Sequence, residues 1–337
     1  MRMGLEAKPE YIMNEPLQRT LTMGLHVVVA ATLSQPAAAQ STLVKTTVCY
    51  RKVVGHEILA DVYRPKGDEV RPVIVSIHGG ALIMGNREGI HAEIRALAEA
   101  KGFALVSLDY RLAPETKLPD LISDIEAAFH WLAGDGAKRF YLDPDRVVVT
   151  GGSAGGYLTL VTGYRVQPRP KALVAMYGYG HVMRDWYATP SPHARHNRQK
   201  VSRDEALRKT DGTIISDDRR RQRNGGMIYS HYRQNGIWPH EVSGFDEATI
   251  AEQIRPFEPA RNVTAGYPPT LLIHGAVDTD VPYDESALMA EQLERHHVPV
   301  ILKTIDNGEH GFGGGNSEQI QEAYKTMREF IVNNLTD

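Results

Sequence analysis

Short continuous apolar runs alternate along the chain with stretches in which apolar positions recur every three or four residues. The runs are Pro72–Ile77, Phe103–Leu108, Val147–Thr150, Ala172–Tyr177, Thr270–Ile273 and Val300–Ile305. Continuous apolar runs of that length predict strands buried on both faces of a sheet. The helically spaced stretches are Glu88–Lys101, Leu118–Leu132, Tyr157–Gly163, Asp284–His297 and Ser317–Asn334. Pro119 falls in the first turn of the second, where a missing N–H costs nothing. Upstream, Lys45–Val54 and Glu57–Tyr63 alternate around Gly55 and predict an antiparallel pair. Strands interleaved with helices predict an α/β chain with a mostly parallel central sheet flanked by helices. Active residues of such sheets stand at the carboxyl ends of the strands.

One stretch breaks the alternation. From Tyr177 to Thr270 the chain is far longer than one crossover needs. It is polar and interrupted by Pro190, Pro192, Gly212, Gly225, Gly226 and Gly236. It also carries Tyr229, Tyr232, Trp238 and Phe245, and a disordered segment has few aromatics. Residues 180–255 are therefore expected to form a cap inserted between the sixth and seventh strands, with residues 40–179 and 256–337 as the core. The run Arg219–Arg223 is expected to be a solvated helix face.

Composition narrows the partners. The 337 residues are 42% hydrophobic and 23% charged with net charge −3, so neither a nucleic acid nor an anionic membrane is implied. Cys49 is the one cysteine, which excludes an internal disulfide and a cysteine-based metal site. His193, His196, His296 and His297 lack a third ligand nearby, so no metal and no cofactor are expected. The apolar run Leu25–Leu33, followed by Ala37 and Ala39 in a small-x-small pattern, reads as an export signal over residues 1–39. Secretion or a periplasmic location is expected, with a cytoplasmic one as the alternative. No segment reads as an integral membrane span, and the oligomeric state is left open, a homodimer included.

The chemistry is carried by Gly151-Gly152-Ser153-Ala154-Gly155-Gly156, which joins a β-branched strand to a helix start. A serine on so tight a corner stands clear of the sheet, with a helix N-terminus behind it that favours developing negative charge. Asp278 follows the strand Thr270–Ile273, and His310 follows Val300–Ile305 in Glu309-His310-Gly311-Phe312. Serine is inert at its own pKa, so Ser153 needs His310 as base, and Asp278 would hold the imidazole tautomer. Asp280, Asp284 and Asp306 compete for the acid's role, and position just after the strand favours Asp278. Gly79 and Gly80, after the strand ending at Ile77, can present N–H groups to an oxyanion, with Ala154 completing the hole. Ala81, Trp186 and Trp238 are candidates for the substrate pocket, the two tryptophans alternatively packing the core of the cap. His78, His274 and Asp109-Tyr110-Arg111 read as structural.

Together these motifs resemble the α/β-hydrolase superfamily, in its hormone-sensitive-lipase-like esterase group (alpha/beta hydrolase fold-3). The carriers are His78-Gly79-Gly80-Ala81, Asp109 to Glu115, the Ser153 corner, the Asp278 loop and Glu309–Phe312. Ala81 and Gly152 depart from the group's usual glycine and acid, and both changes leave the backbone donors in place. The resemblance implies a serine carboxylic-ester hydrolase that forms an acyl-enzyme on small to medium esters. An amidase, arylformamidase-like enzyme or peptidase with the same triad is the alternative. A non-catalytic binder of this fold is the third reading, and such binders lose the histidine that stands here at position 310.

Overall fold

The computed structural model describes residues 42–336; the expected export signal lies outside the described residues. The strands are β1 (Leu43–Val53), β2 (His56–Pro65), β3 (Arg71–Ile77), β4 (Ala104–Leu108), β5 (Leu142–Gly152), β6 (Ala172–Met176), β7 (Thr270–Gly275) and β8 (Val300–Ile305). They form one eight-stranded sheet in the order β1-β2-β4-β3-β5-β6-β7-β8. β2 runs antiparallel to both β1 and β4, and every other pairing is parallel. Val54 and Gly55, with φ of 45° and 77°, make the two-residue turn of the β1–β2 hairpin, where positive φ matches the twist of the strands.

The continuous apolar runs have a direct cause. Val73, Val75 and Ile77 of β3 enter the core on one face of the sheet, and Ile74 enters the core on the other. In β5, Val147 and Val149 are divided from Val148 in the same way. Helices Leu118–Trp131, Ala154–Arg165 and Asp284–Arg295 cover the first face. Helices Ala92–Lys101 and Ser317–Thr336 cover the second. The first of these starts later than its periodicity suggests, because Gly89 N–H donates to Asn86 O in a turn ahead of it. Among the described residues no helix is long and apolar enough to cross a membrane.

Between β6 and β7 the chain folds into short helices, including Asp185–Ala188, Ala194–Asn197, Gly225–Asn235 and Trp238–Ser243. Tyr187, Ile228, Tyr232, Trp238 and Val242 belong to the same core as the first face of the sheet. The arginine run departs from its expectation. Arg219 pairs at the surface with Asp217 and Glu88, but Arg221 is buried. Its Nη1 donates to Glu115 Oε2 and to the carbonyl of Ala113, each at 2.9 Å, and its Nη2 donates to the carbonyl of Ile83. Periodicity could not separate these two arginines, since what buries Arg221 is the buried carboxylate of Glu115, far away in sequence.

Removing Arg221 would strand that carboxylate without its cation. Arg221→Ala should cost about 3–5 kcal/mol, the usual consequence of breaking a buried pair from one side. Chemical denaturation checks this, and the loss should be smaller in a Glu115→Gln background. A cost under about 1 kcal/mol would contradict the anchoring role.

Candidate active site

β5 ends at Gly152 and the next helix begins at Ala154, leaving Ser153 alone at the corner with φ 57° and ψ −125°. A non-glycine residue held there is strained, and the strain persists because the surroundings over-determine it. Ser153 N–H donates to Met176 O at 2.9 Å. A Cβ at Gly155 would fall onto the carbonyl oxygen of Ile77, so only glycine lets the helix close against β3.

Asp278 and His310 reach the same edge from the ends of β7 and β8. His310 Nδ1 lies 2.7 Å from Asp278 Oδ2. Asp278 Oδ1 accepts the backbone N–H of Asp280 at 2.8 Å and of Val281 at 3.0 Å. Burial opposes the charge on Asp278, but hydrogen bonds from His274 and His310 outweigh it and hold the carboxyl at about 2. The ring of Tyr177 meets the imidazole of His310 edge-on, with centroids 4.8 Å apart. Glu309 braces the loop by accepting from the N–H of His310 and from Thr279. Among the described residues no hydrogen bond joins Ser153 Oγ to the imidazole, a bond that often tightens only when substrate binds.

The loop after β3 lies against Ser153. A Cβ on Gly79 would stand 2.7 Å from the carbonyl oxygen of Gly152 and 3.3 Å from Ser153 Cβ. Gly80 has φ 115°, and its carbonyl accepts from Ile83 and Met84 N–H at 2.9 Å. Among the described residues the N–H groups of Gly79, Gly80 and Ala154 donate to no protein acceptor. His78 stacks on Tyr110 with centroids 4.3 Å apart and contacts Gly79 O through Nδ1 at 2.8 Å. Burial pushes its imidazole down to about 4, so it is a neutral spacer. His274 contacts Val281 O and Ser286 Oγ. Asp109 and Arg111 are tied to Arg87 and Asp124.

Ser153 lines two cavities. One, of about 360 Å³, is lined by Gly80, Ala81, Met84, Ser153, His310 and a polar wall of Arg195, His196, Tyr229, Ser230 and Asp280. The other, of about 240 Å³, runs past Gly79, Gly152 and Ser153 towards Thr150, His91 and Tyr177. Ala81 lines the first as expected, but Trp186 and Trp238 line neither, which leaves the packing alternative for both. Trp238 is fully buried, stacked on Tyr187 at 4.0 Å and bonded through Nε1 to Ala81 O at 3.0 Å. Trp186 stacks on Tyr187 and donates to Glu285 Oε1 at 3.0 Å beside a separate cavity. Each indole thus packs against Tyr187 and spends its N–H on the protein.

The sequence reading missed the polar wall. Asp280 was visible as a rival acid two residues after Asp278. Arg195 and His196 come from the insertion, and no local pattern announces that they fold back onto the Asp278 loop.

The comparisons agree with this geometry. A family model described as alpha/beta hydrolase fold matches residues 74–313. The non-reducing polyketide synthase ausA of Aspergillus calidoustus is 25% identical over 95% of this chain, which spans only 15% of the synthase's length. Carboxylic ester hydrolase LipN of Mycobacterium tuberculosis is 39% identical over 31% of this chain and 28% of LipN. Among solved structures, a protein of unknown function from Staphylococcus aureus gives a TM-score of 0.68 at 24% identity, covering 87% of this chain and 100% of that one. A thermophilic esterase from Thermogutta terrifontis gives 0.57 at 22% identity, covering 86% and 92%. With the family model spanning most of the chain and the sheet, corner and loops in place, the chain belongs to the alpha/beta hydrolase family that this model describes.

Proposed function

We propose that the chain is a serine carboxylic-ester hydrolase. The observation that carries this reading is the 2.7 Å contact of Asp278 with His310 Nδ1, beside a strained Ser153 that shares a cavity with His310. Ser153 Oγ attacks the ester carbonyl and passes its proton to His310 Nε2. The N–H groups of Gly79, Gly80 and Ala154 take the oxyanion, and such donors are each worth about 100- to 1000-fold in turnover. His310 then protonates the leaving alcohol as the tetrahedral adduct collapses to an acyl-enzyme. A water, deprotonated by His310, releases the acid and restores Ser153. Asp278 stays ionised throughout, fixing the tautomer and stabilising the imidazolium. The similarity to an ester hydrolase over part of the chain favours ester over amide, and cavities of about 240 and 360 Å³ favour small to medium substrates. Residues 180–255, which supply the polar wall apart from Asp280, act as the cap in this reading.

Ser153→Ala should leave the fold intact and lower p-nitrophenyl ester turnover by at least about 1000-fold. Asp278→Asn should lower it by about 100- to 10,000-fold. Retention of a tenth of the activity in either variant would overturn the corresponding role.

Because Asp278 is held at about 2, its charge stabilises the fold above the ordinary aspartate range. That contribution is lost only as pH falls through about 2. Above pH 4 the carboxylate stays ionised, so acidification in that range should lower log kcat/KM with a slope of no more than one. A slope of two there would mean that the Asp278 carboxylate titrates as well.

Across p-nitrophenyl esters, kcat/KM should peak at short acyl chains and fall by at least 10-fold by dodecanoate, each lost pocket contact costing about 1–3 kcal/mol. A rising series would contradict the size argument.

A further inference from the structure

Asp280 lines the same cavity as Ser153 and His310, and its two carboxylate oxygens are treated differently. Oδ1 is saturated. It accepts from Tyr229 OH at 2.6 Å, lies 2.9 Å from His196 Nε2, and accepts from Arg233 Nη1 at 3.2 Å. The same Arg233 nitrogen also donates to the Asp280 carbonyl at 3.0 Å. Oδ2 has no partner at hydrogen-bond distance: His310 Nε2 stands 3.7 Å away and Arg195 Nη2 3.6 Å, both too long for a bond. The residue is only 8% exposed, and Oδ2 is not among the enclosed atoms left without a partner, so it opens to the cavity that Asp280 lines. Burial opposes the charge, but the His196 bond, the nearby His310 and Arg195 and the Tyr229 hydroxyl hold the carboxyl well below the usual range.

We infer that Asp280 Oδ2 is a substrate-binding acceptor that receives a hydroxyl of the leaving alcohol, so that the preferred substrates are partial esters of polyols. This rests on the ester-hydrolase reading and names its substrate class. To protonate the departing oxygen, His310 Nε2 has to reach it directly, so the alcohol half lies in the cavity that contains His310. Asp280 Oδ2 sits just beyond that nitrogen. A hydroxyl one carbon further along the alcohol can donate to Oδ2 while the ester oxygen faces the imidazole. Ser230 adds a further hydroxyl to the lining of the same cavity. A neutral donor fits better than an ammonium group, because the charges are already matched. Asp280 faces Arg233 and Arg195, and Arg195 pairs in turn with Glu309 at 2.9 Å. An alkyl alcohol would cover the ionised oxygen without offering it a donor, which is the costly case.

The test compares 2-hydroxyethyl acetate with 2-methoxyethyl acetate, which have similar leaving groups but differ in the donor. Wild-type kcat/KM should favour the hydroxyl ester by about 10-fold or more. Asp280→Asn should lower both rates and bring their ratio towards one. Asp280→Glu, which keeps the charge but moves the oxygen, should lower the ratio as well. A wild-type ratio near one overturns the proposal without any variant, so it stays falsifiable if Asp280→Asn does not fold. An unchanged ratio in folded Asp280 variants also overturns it, because the residue would then act only through His310. Equal hydrolysis of the two acetates removes the subsite and leaves the ester-hydrolase reading standing. Failure to hydrolyse either acetate or any p-nitrophenyl ester removes both.

Discussion

The backbone corner at Ser153 sets the conditions that the rest of the site has to meet. At φ 57° and ψ −125° the serine is held in a conformation that side chains avoid, at a cost of order 1–3 kcal/mol. The corner closes only because β3, the helix after Ser153 and the loop after β6 approach at backbone contact. A Cβ on Gly151 or Gly155 would meet main-chain atoms of the facing segment, and one on Gly156 would come within 2.9 Å of Gly178 Cα. The same closeness presses Gly79 against Ser153. Strain and glycine content are consequences of one packing requirement.

The insertion is bound into that requirement. Trp238 holds Ala81 O, and Arg221 holds the carbonyls of Ile83 and Ala113. The loop that carries Gly79 and Gly80 is thus gripped at its far end by residues from between β6 and β7. Arg195, His196, Tyr229 and Arg233 from the same segment surround Asp280. The segment therefore touches both sides of the cavity, one through backbone carbonyls and the other through a carboxylate.

Much of this was legible in the residues. The strand runs were readable because parallel strands covered on both faces need apolar side chains at every position, as Val73, Ile74 and Val75 show. Ser153, Asp278 and His310 were readable because each follows a strand end, and the structure brings all three to one edge. Trp186 and Trp238 were left undecided and Arg221 was misjudged for one reason. Their surroundings are fixed by contacts distant in sequence: Tyr187 against both indoles, Ala81 with Trp238, Glu115 with Arg221. Hydrophobicity and charge say that such residues are valuable without saying which surface they meet. Asp280 illustrates the same limit, since the residues that saturate one of its oxygens and spare the other come from a segment without regular periodicity.

The central claim is that Ser153 is a nucleophile made reactive by His310 and its pairing with Asp278. A fluorophosphonate probe followed by peptide mass mapping tests it most directly, because such a probe records nucleophilic attack itself, independent of substrate preference. The account predicts stoichiometric modification confined to the peptide containing Ser153, with labelling strongly slowed when His310 is replaced by Ala. Absence of label, or label distributed over other hydroxyl-bearing residues, would contradict it.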